Sequence, residues 1–239
     1  MPTMDRGTSE RRIMATRTVR QSETELISLE PAGQALRPRG HSRKRDAIIA
    51  AAKETFFLEG YAGAAMDRIT ARAGVSKATI YNHFRSKEEL LLAVVEAVIQ
   101  PIQSDYRSAL DPAAAFRPWL LALGELLVRK VMTCDVIALE RLVIAEALRF
   151  PELGRIFQSI AVDASLDVLR PRVERAIAEG DLRPCNPMAA LQHFAELCVG
   201  SLRYRKLLNE DDGSGEREIR DHINEVVDVF LHGYGARPA

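Results

Sequence analysis

The chain has 239 residues, 47% of them hydrophobic and 28% charged, which is ordinary globular usage and excludes a wholly disordered, collagen-like or disulfide-scaffold chain. Its 33 Lys and Arg residues balance 33 Asp and Glu residues, and a net charge of zero on its face speaks against a nucleic-acid partner. That zero is a sum of unlike parts. Residues 1–40 carry +2, residues 41–87 carry +5 and residues 88–239 carry −7. A basic module joined to a larger acidic one points to a nucleic-acid-binding part and a part with another task.

Cys134, Cys185 and Cys198 show no CxxC or Cys/His ligand spacing and suit a reducing compartment. The N-terminal stretch has no apolar core of the signal-peptide kind. No apolar run approaches the ~18–20 residues of a membrane span. The expectation is a soluble, cytoplasmic protein without a membrane partner. No G-x-S-x-G, phosphate-binding Gly-rich loop, HExxH or Cys/His cluster is found, so no enzyme, catalytic residue, metal site or cofactor is expected.

In chain order, residues 1–40 are polar and poor in large apolar residues, and are expected to form a disordered arm. Arg11, Arg12, Arg17 and Arg20 offer the alternative of an arm that tracks DNA. From Ser42 onward the periodicity is helical. Ile48, Ala52 and Phe56 make the first stripe, stopped by Gly60. Met66, Ile69 and Ala73 make a second, ended by Gly74, and Ile80 and Phe84 mark a third, with Ser76 placed to cap it. Ser86-Lys87-Glu88-Glu89 is a capping box opening a long helix, which Pro101 is expected to kink or end. Further helices are expected near 113–131, 134–148, 152–179, 187–208 and 216–232, with Pro171 a possible kink in the third of these. No strand of alternating pattern stands out, so the fold is expected to be all-α.

The stretch AAMDRITARAGVSKATIYNHFRSKEELL, residues 64–91, carries the function. Two short helices flank Gly74-Val75-Ser76. A glycine after a helix takes φ > 0 without strain and reverses the chain, and Ser76 then caps the next helix. That is a helix-turn-helix, about residues 65–84, whose second helix enters the major groove. Ile69, Ala73, Val75 and Ile80 face inward. Lys77, Thr79, Tyr81, Asn82 and His83 face outward; each donates hydrogen bonds and none is acidic, as phosphates and base edges require.

The composite of this motif with the following FRSKEEL resembles the TetR/AcrR family of bacterial transcriptional regulators, densely across residues 43–100. The segment LERLVIAEALRFPELGRIF, residues 139–157, is similar to the AefR-like C-terminal subgroup. The resemblance implies a three-helix DNA-binding domain with the start of a linking helix, residues 41–101. It also implies a ligand-binding and dimerising helical domain, residues 102–239. The implied DNA contacts are Lys77, Ala78 and Thr79 toward base edges, Tyr81 and His83 toward phosphates, and Asn82 toward either. Lys87 matches a phosphate clamp, and Arg43 and Arg45 match backbone or minor-groove contacts. Where the family often has Ser or Thr, this chain has Ala64-Ala65, so the second helix is expected to lack a side-chain cap, at about 0.5–2 kcal/mol. Arg68 and Arg72 are as well read as solvated charge as phosphate contacts.

In the second domain, aromatic and apolar positions suggest an effector pocket at Phe116, Trp119, Leu123, Leu142, Glu146, Phe157 and Phe194. Glu140 and His193 are further polar candidates, though core-edge roles suit them better. Apolar stripes on the last two helices, with the family's usual four-helix interface, suggest a homodimer through Leu191, Leu197, Ile223, Val227 and Phe230. The implied function is a repressor, released from a palindromic operator of double-stranded DNA by a largely apolar small molecule. The alternative is a ligand-independent architectural or occlusion dimer.

Overall fold

The computed structural model describes residues 39–210 and 215–236, with side chains from Arg43 onward. The expected arm over residues 1–40 lies outside that range except for Arg39 and Gly40, which open the first helix. Among the described residues there are ten α-helices and no β-strand. They are α1 (Arg39–Gly63), α2 (Met66–Arg72), α3 (Lys77–His83), α4 (Lys87–Ala109), α5 (Phe116–Val131) and α6 (Cys134–Glu146). Then come α7 (Pro151–Phe157), a π-helical segment (Gln158–Asp163), α8 (Ala164–Glu179), α9 (Pro187–Leu207) and α10 (Glu216–Tyr234).

The local signals act where the residues place them. Ser76 accepts the Thr79 N–H at 3.1 Å and starts α3; Gly74 sits at φ 64° in the turn before it. Ser86 accepts the Glu89 N–H at 3.2 Å and starts α4, while the Glu89 carboxylate reaches back to the Arg85 N–H at 2.7 Å. Ala65 precedes α2 without a side-chain cap, as alanine must.

Ile48, Ala52, Phe56, Ile69, Ile80 and Phe84 are buried and hold α1, α2 and α3 together. α4 leaves this unit and packs on α1, α6 and α8. Two expectations are corrected. Pro101 does not end α4, because Ile99, Ile102 and Tyr106 beyond and before it are buried and keep the helix on the core. The stretch expected as one helix over 152–179 is α7, the π-helical segment and α8. The Gln103 amide of α4 donates to Ile160 O at 3.0 Å and to Ser165 Oγ at 3.2 Å, which satisfies groups where the helical pitch loosens. Pro171 lies inside α8 without terminating it. No helix among the described residues is long and apolar enough to cross a membrane.

Candidate nucleic-acid interface and internal cavity

The outer face of α3 presents Lys77, Ala78, Tyr81 and Asn82 to solvent, with Tyr81 44% exposed. Thr79 and His83 are half-buried beside them. Ile80 points the other way and is fully buried, so α3 is fixed by one face and free to enter a groove with the other. Lys77 is not idle: its ammonium meets Asp67 Oδ1 of α2 at 2.7 Å. That hydrogen bond, with the carboxylate's charge, raises the Lys77 pKa and keeps it a cation. Arg43 is exposed at the start of α1, while the Arg45 guanidinium lies over the Phe84 ring, 5.3 Å from its centroid. Arg68 and Arg72 pair with α1, at 2.9 Å to Glu59 and 3.7 Å to Glu54, and so brace α2 on α1.

In the DNA-free protein Lys87, half-buried, is engaged within the fold. Its ammonium donates to Tyr61 O at 2.7 Å and Ala64 O at 3.2 Å, and lies 4.5 Å from the Tyr61 ring centroid. Gly60, at φ 72°, breaks α1 just before these carbonyls, leaving them without helical partners. Lys87 therefore caps the end of α1 from the first turn of α4. Sequence spacing alone gives no sign of this contact, because the partners lie 23 and 26 residues away.

The second domain holds a cavity of about 120 Å³ among α4, α5, α6, the end of α7, the π-helical segment, α8 and α9. Its apolar walls include Ile99, Ile102 and Tyr106 of α4, Leu127 of α5, Val136 of α6 and Phe157 of α7. The polar end is made by Glu140 of α6 with Gln192, Glu196 and Arg203 of α9. Of the expected pocket residues only Phe157 lines this cavity. Leu123 and Leu142 are buried in the core. Phe194 packs edge-on against Phe230, 5.1 Å between centroids. Phe116 and Trp119 stack on each other at 5.8 Å beneath Arg172, and Trp119 borders a separate cleft. Glu146 accepts the Ala62 N–H and so binds the N-terminal unit instead. Those residues shared apolar stripes with the cavity but lie on other helix faces. His193 meets the Tyr234 hydroxyl at 2.6 Å and is outside the cavity. Tyr106 and Arg203 were missed; Tyr106 continues the Ile99-Ile102 stripe, which was the available signal.

The expected dimer residues are also redistributed. Leu191, Ile223, Val227 and Phe230 are buried within the protomer, since α5 packs on both α9 and α10 and takes up their stripes. Leu197, 42% exposed, stays at the surface, with Val229 at 59% beside it in a shallow groove that also includes His193 and Tyr234.

A recognition helix with an exposed polar face, a capped turn before it and a helical body behind it define a helix-turn-helix DNA-binding regulator. Residues 48–94 match the model for bacterial regulatory proteins of the tetR family, and residues 118–236 match that for the C-terminal domain of AefR-like transcriptional repressors. The repressor NicS of Pseudomonas putida is 30% identical over 200 residues, covering 80% of this chain and 92% of NicS. The transcriptional activator FasR of Mycolicibacterium smegmatis is 43% identical, but over 82 residues only, 34% of this chain and 37% of FasR. Among solved structures, the flavonoid-responsive regulator FrrA superposes with a TM-score of 0.73 at 30% identity, covering 82% of this chain and all of FrrA's. The chain belongs to the TetR family of transcriptional regulators.

Proposed function

We propose that this regulator is a repressor whose grip on a palindromic operator is released by a small molecule bound in the α4–α9 cavity. The observation that carries this reading is that α4 has two ends with two tasks. Ser86 caps its first turn and Lys87 ties that turn to the end of α1 in the DNA-binding unit, and Ile99, Ile102 and Tyr106 wall the cavity. A ligand that repositions those three side chains moves the helix from which the reading head hangs. Effector and operator then prefer different states, so each weakens the other.

α6 offers a parallel connection. Val136 and Glu140 face the cavity, while Asp135 pairs with Lys53 of α1 at 2.7 Å and Glu146 holds Ala62 at 3.0 Å. Repression, rather than activation, is favoured by NicS, whose similarity spans most of both chains, over FasR, whose similarity is confined to about a third of this one. Release by a small molecule is favoured by FrrA, described as flavonoid-responsive. In this reading residues 41–101 bind DNA through Lys77, Ala78, Thr79, Tyr81, Asn82, His83 and Arg43. Residues 102–239 bind the effector and pair two copies through Leu197 and Val229.

The test is selection of genomic fragments by the purified full chain, followed by titration of small molecules against the strongest fragment. Release of the fragment, with restored transcription from the adjoining promoter, is expected. Binding that no cavity ligand alters, with cavity-filling Ala161→Phe equally without effect, would favour the ligand-independent dimer.

A further inference from the structure

The cavity's chemistry narrows what enters it, on the reading that this cavity is the effector site. Its free volume of about 120 Å³ is close to the ~150 Å³ known to hold one benzene ring, and below the ~300–1,000 Å³ of drug-sized pockets. The occupant that fits without rebuilding the core is a single compact ring.

Polarity is confined to one end and graded. Glu140 is innermost, 13% exposed; Arg203 is 28% exposed and Glu196 is outermost at 53%. Arg203 divides its guanidinium unequally. It gives Glu196 two hydrogen bonds of 3.0 Å and stands 3.7 Å from Glu140, beyond hydrogen-bond reach. Among the described residues Glu140 receives no hydrogen bond, although a carboxylate offers about four acceptor sites. An acceptor so placed against an apolar cavity gains most from a donor that arrives with the ligand. Two carboxylates against one guanidinium also leave the polar end net negative, which repels an anion.

We infer that the cavity takes a compact, largely apolar ring compound bearing a hydrogen-bond donor, a phenolic hydroxyl or ring N–H, aimed at Glu140, and that it rejects ring carboxylates. Glu140 is the residue that sets this specificity; Arg203 and Glu196 close the polar end behind it. Burial also lifts the Glu140 pKa, which is the sign of a carboxylate short of partners.

The experiment is titration calorimetry of the full chain with three probes of one size: phenol, toluene and benzoate. Phenol is expected to bind most tightly and benzoate least. Glu140→Leu should weaken phenol by roughly tenfold or more, the scale of a lost charge-assisted hydrogen bond, and leave toluene unchanged. Glu140→Gln, which keeps the shape and one acceptor, should retain part of the phenol preference and bind benzoate better than the native chain does. Equal phenol and toluene affinities, benzoate binding best, no binding of any probe, or a phenol-to-toluene ratio unmoved in both variants would each overturn the assignment of Glu140. The site itself is tested separately. Phenol binding that persists unchanged in cavity-filling Ala161→Phe would place the ligand elsewhere and overturn the proposed function's cavity as well.

Discussion

The Glu146 carboxylate accepts the Ala62 N–H at 3.0 Å, tying the end of α6 to the end of α1. A Cβ on Gly60 would stand 2.9 Å from the same carboxylate oxygen, and Gly60 holds φ 72°. Gly60→Ala is therefore doubly opposed. The positive-φ, extended backbone, with ψ 169°, is one that essentially only glycine adopts and alone should lower stability by roughly 1–3 kcal/mol, and the methyl group should push Glu146 off Ala62. Denaturant unfolding measures the first effect. Hydrogen exchange at the Ala62 amide measures the second and should quicken in Glu146→Ala as well. An Ala62 amide equally protected in both variants would show that α6 does not hold the N-terminal unit.

Lys87 separates folding from DNA binding. Lys87→Ala leaves the Tyr61 and Ala64 carbonyls uncapped and should reduce stability by about 1.5–3 kcal/mol, the range for hydrogen bonds to a charged group. Tyr81→Ala, at an exposed position, should leave the unfolding midpoint in place while weakening binding to all DNA sequences. Paired melts and binding curves distinguish them. A Lys87→Ala protein as stable as the native chain, with weaker DNA binding, would show that Lys87 acts on the DNA backbone rather than on the fold.

The helix-turn-helix was legible because its signals are local. Gly74, Ser76 and Ser86 act on residues two or three positions away, and Ile69 and Ile80 mark buried faces by their spacing alone. The cavity was not legible, because an apolar stripe says that a face is buried and not what it is buried against. Leu123 and Leu127 lie one turn apart on α5, yet only Leu127 borders the cavity. Ile223 and Val227 read as an interface until α5 is seen packed on α10. Glu140 looked like a core-edge acid, and only the position of Arg203, 63 residues on in sequence, shows it short of partners.

Asp67 restrains an exposed cation at the start of the recognition helix. In the free protein it holds Lys77 at 2.7 Å, and it adds a negative charge beside the DNA-facing surface. Asp67→Asn should strengthen binding to non-specific DNA at low salt and steepen the fall of log K with log salt by about one unit. Fluorescence anisotropy across a salt series measures both. A slope that stays the same would mean that Lys77 reaches no phosphate.

Glu140 should also leave a mark on stability against pH. Burial raises its pKa, opposed by Arg203 and assisted by Glu196; the Tyr106 side chain of α4 lines the same cavity. The folded state thus holds the Glu140 proton more tightly than the unfolded chain. The stability this contributes is complete below the unfolded carboxyl pKa of about 4.3 and is lost as pH rises through the raised folded value. Once Glu140 is ionised, its burial disfavours the charged form in the fold. Glu140→Gln should therefore raise Tm near neutral pH, with the gain shrinking as pH falls into the ordinary carboxylate range. Thermal melts over a pH series test this. A Gln variant less stable at neutral pH would mean that attraction to Arg203 outweighs burial.

The two faces of α9 and α10 make opposite predictions. Leu197 and Val229 are exposed side by side, and a two-fold axis through such a patch places it against its own copy. Leu197→Asp combined with Val229→Asp should yield a folded monomer by sedimentation velocity, with an unchanged helical spectrum. Its affinity for a palindromic operator should collapse toward that of a single half-site. Ile223→Ala, in the protomer core against α5, should instead lower stability by about 2–5 kcal/mol while leaving the folded protein's oligomeric state intact. A dimer that survives the double Asp variant would move the interface off this patch and leave the exposed Leu197 and Val229 without the role assigned to them.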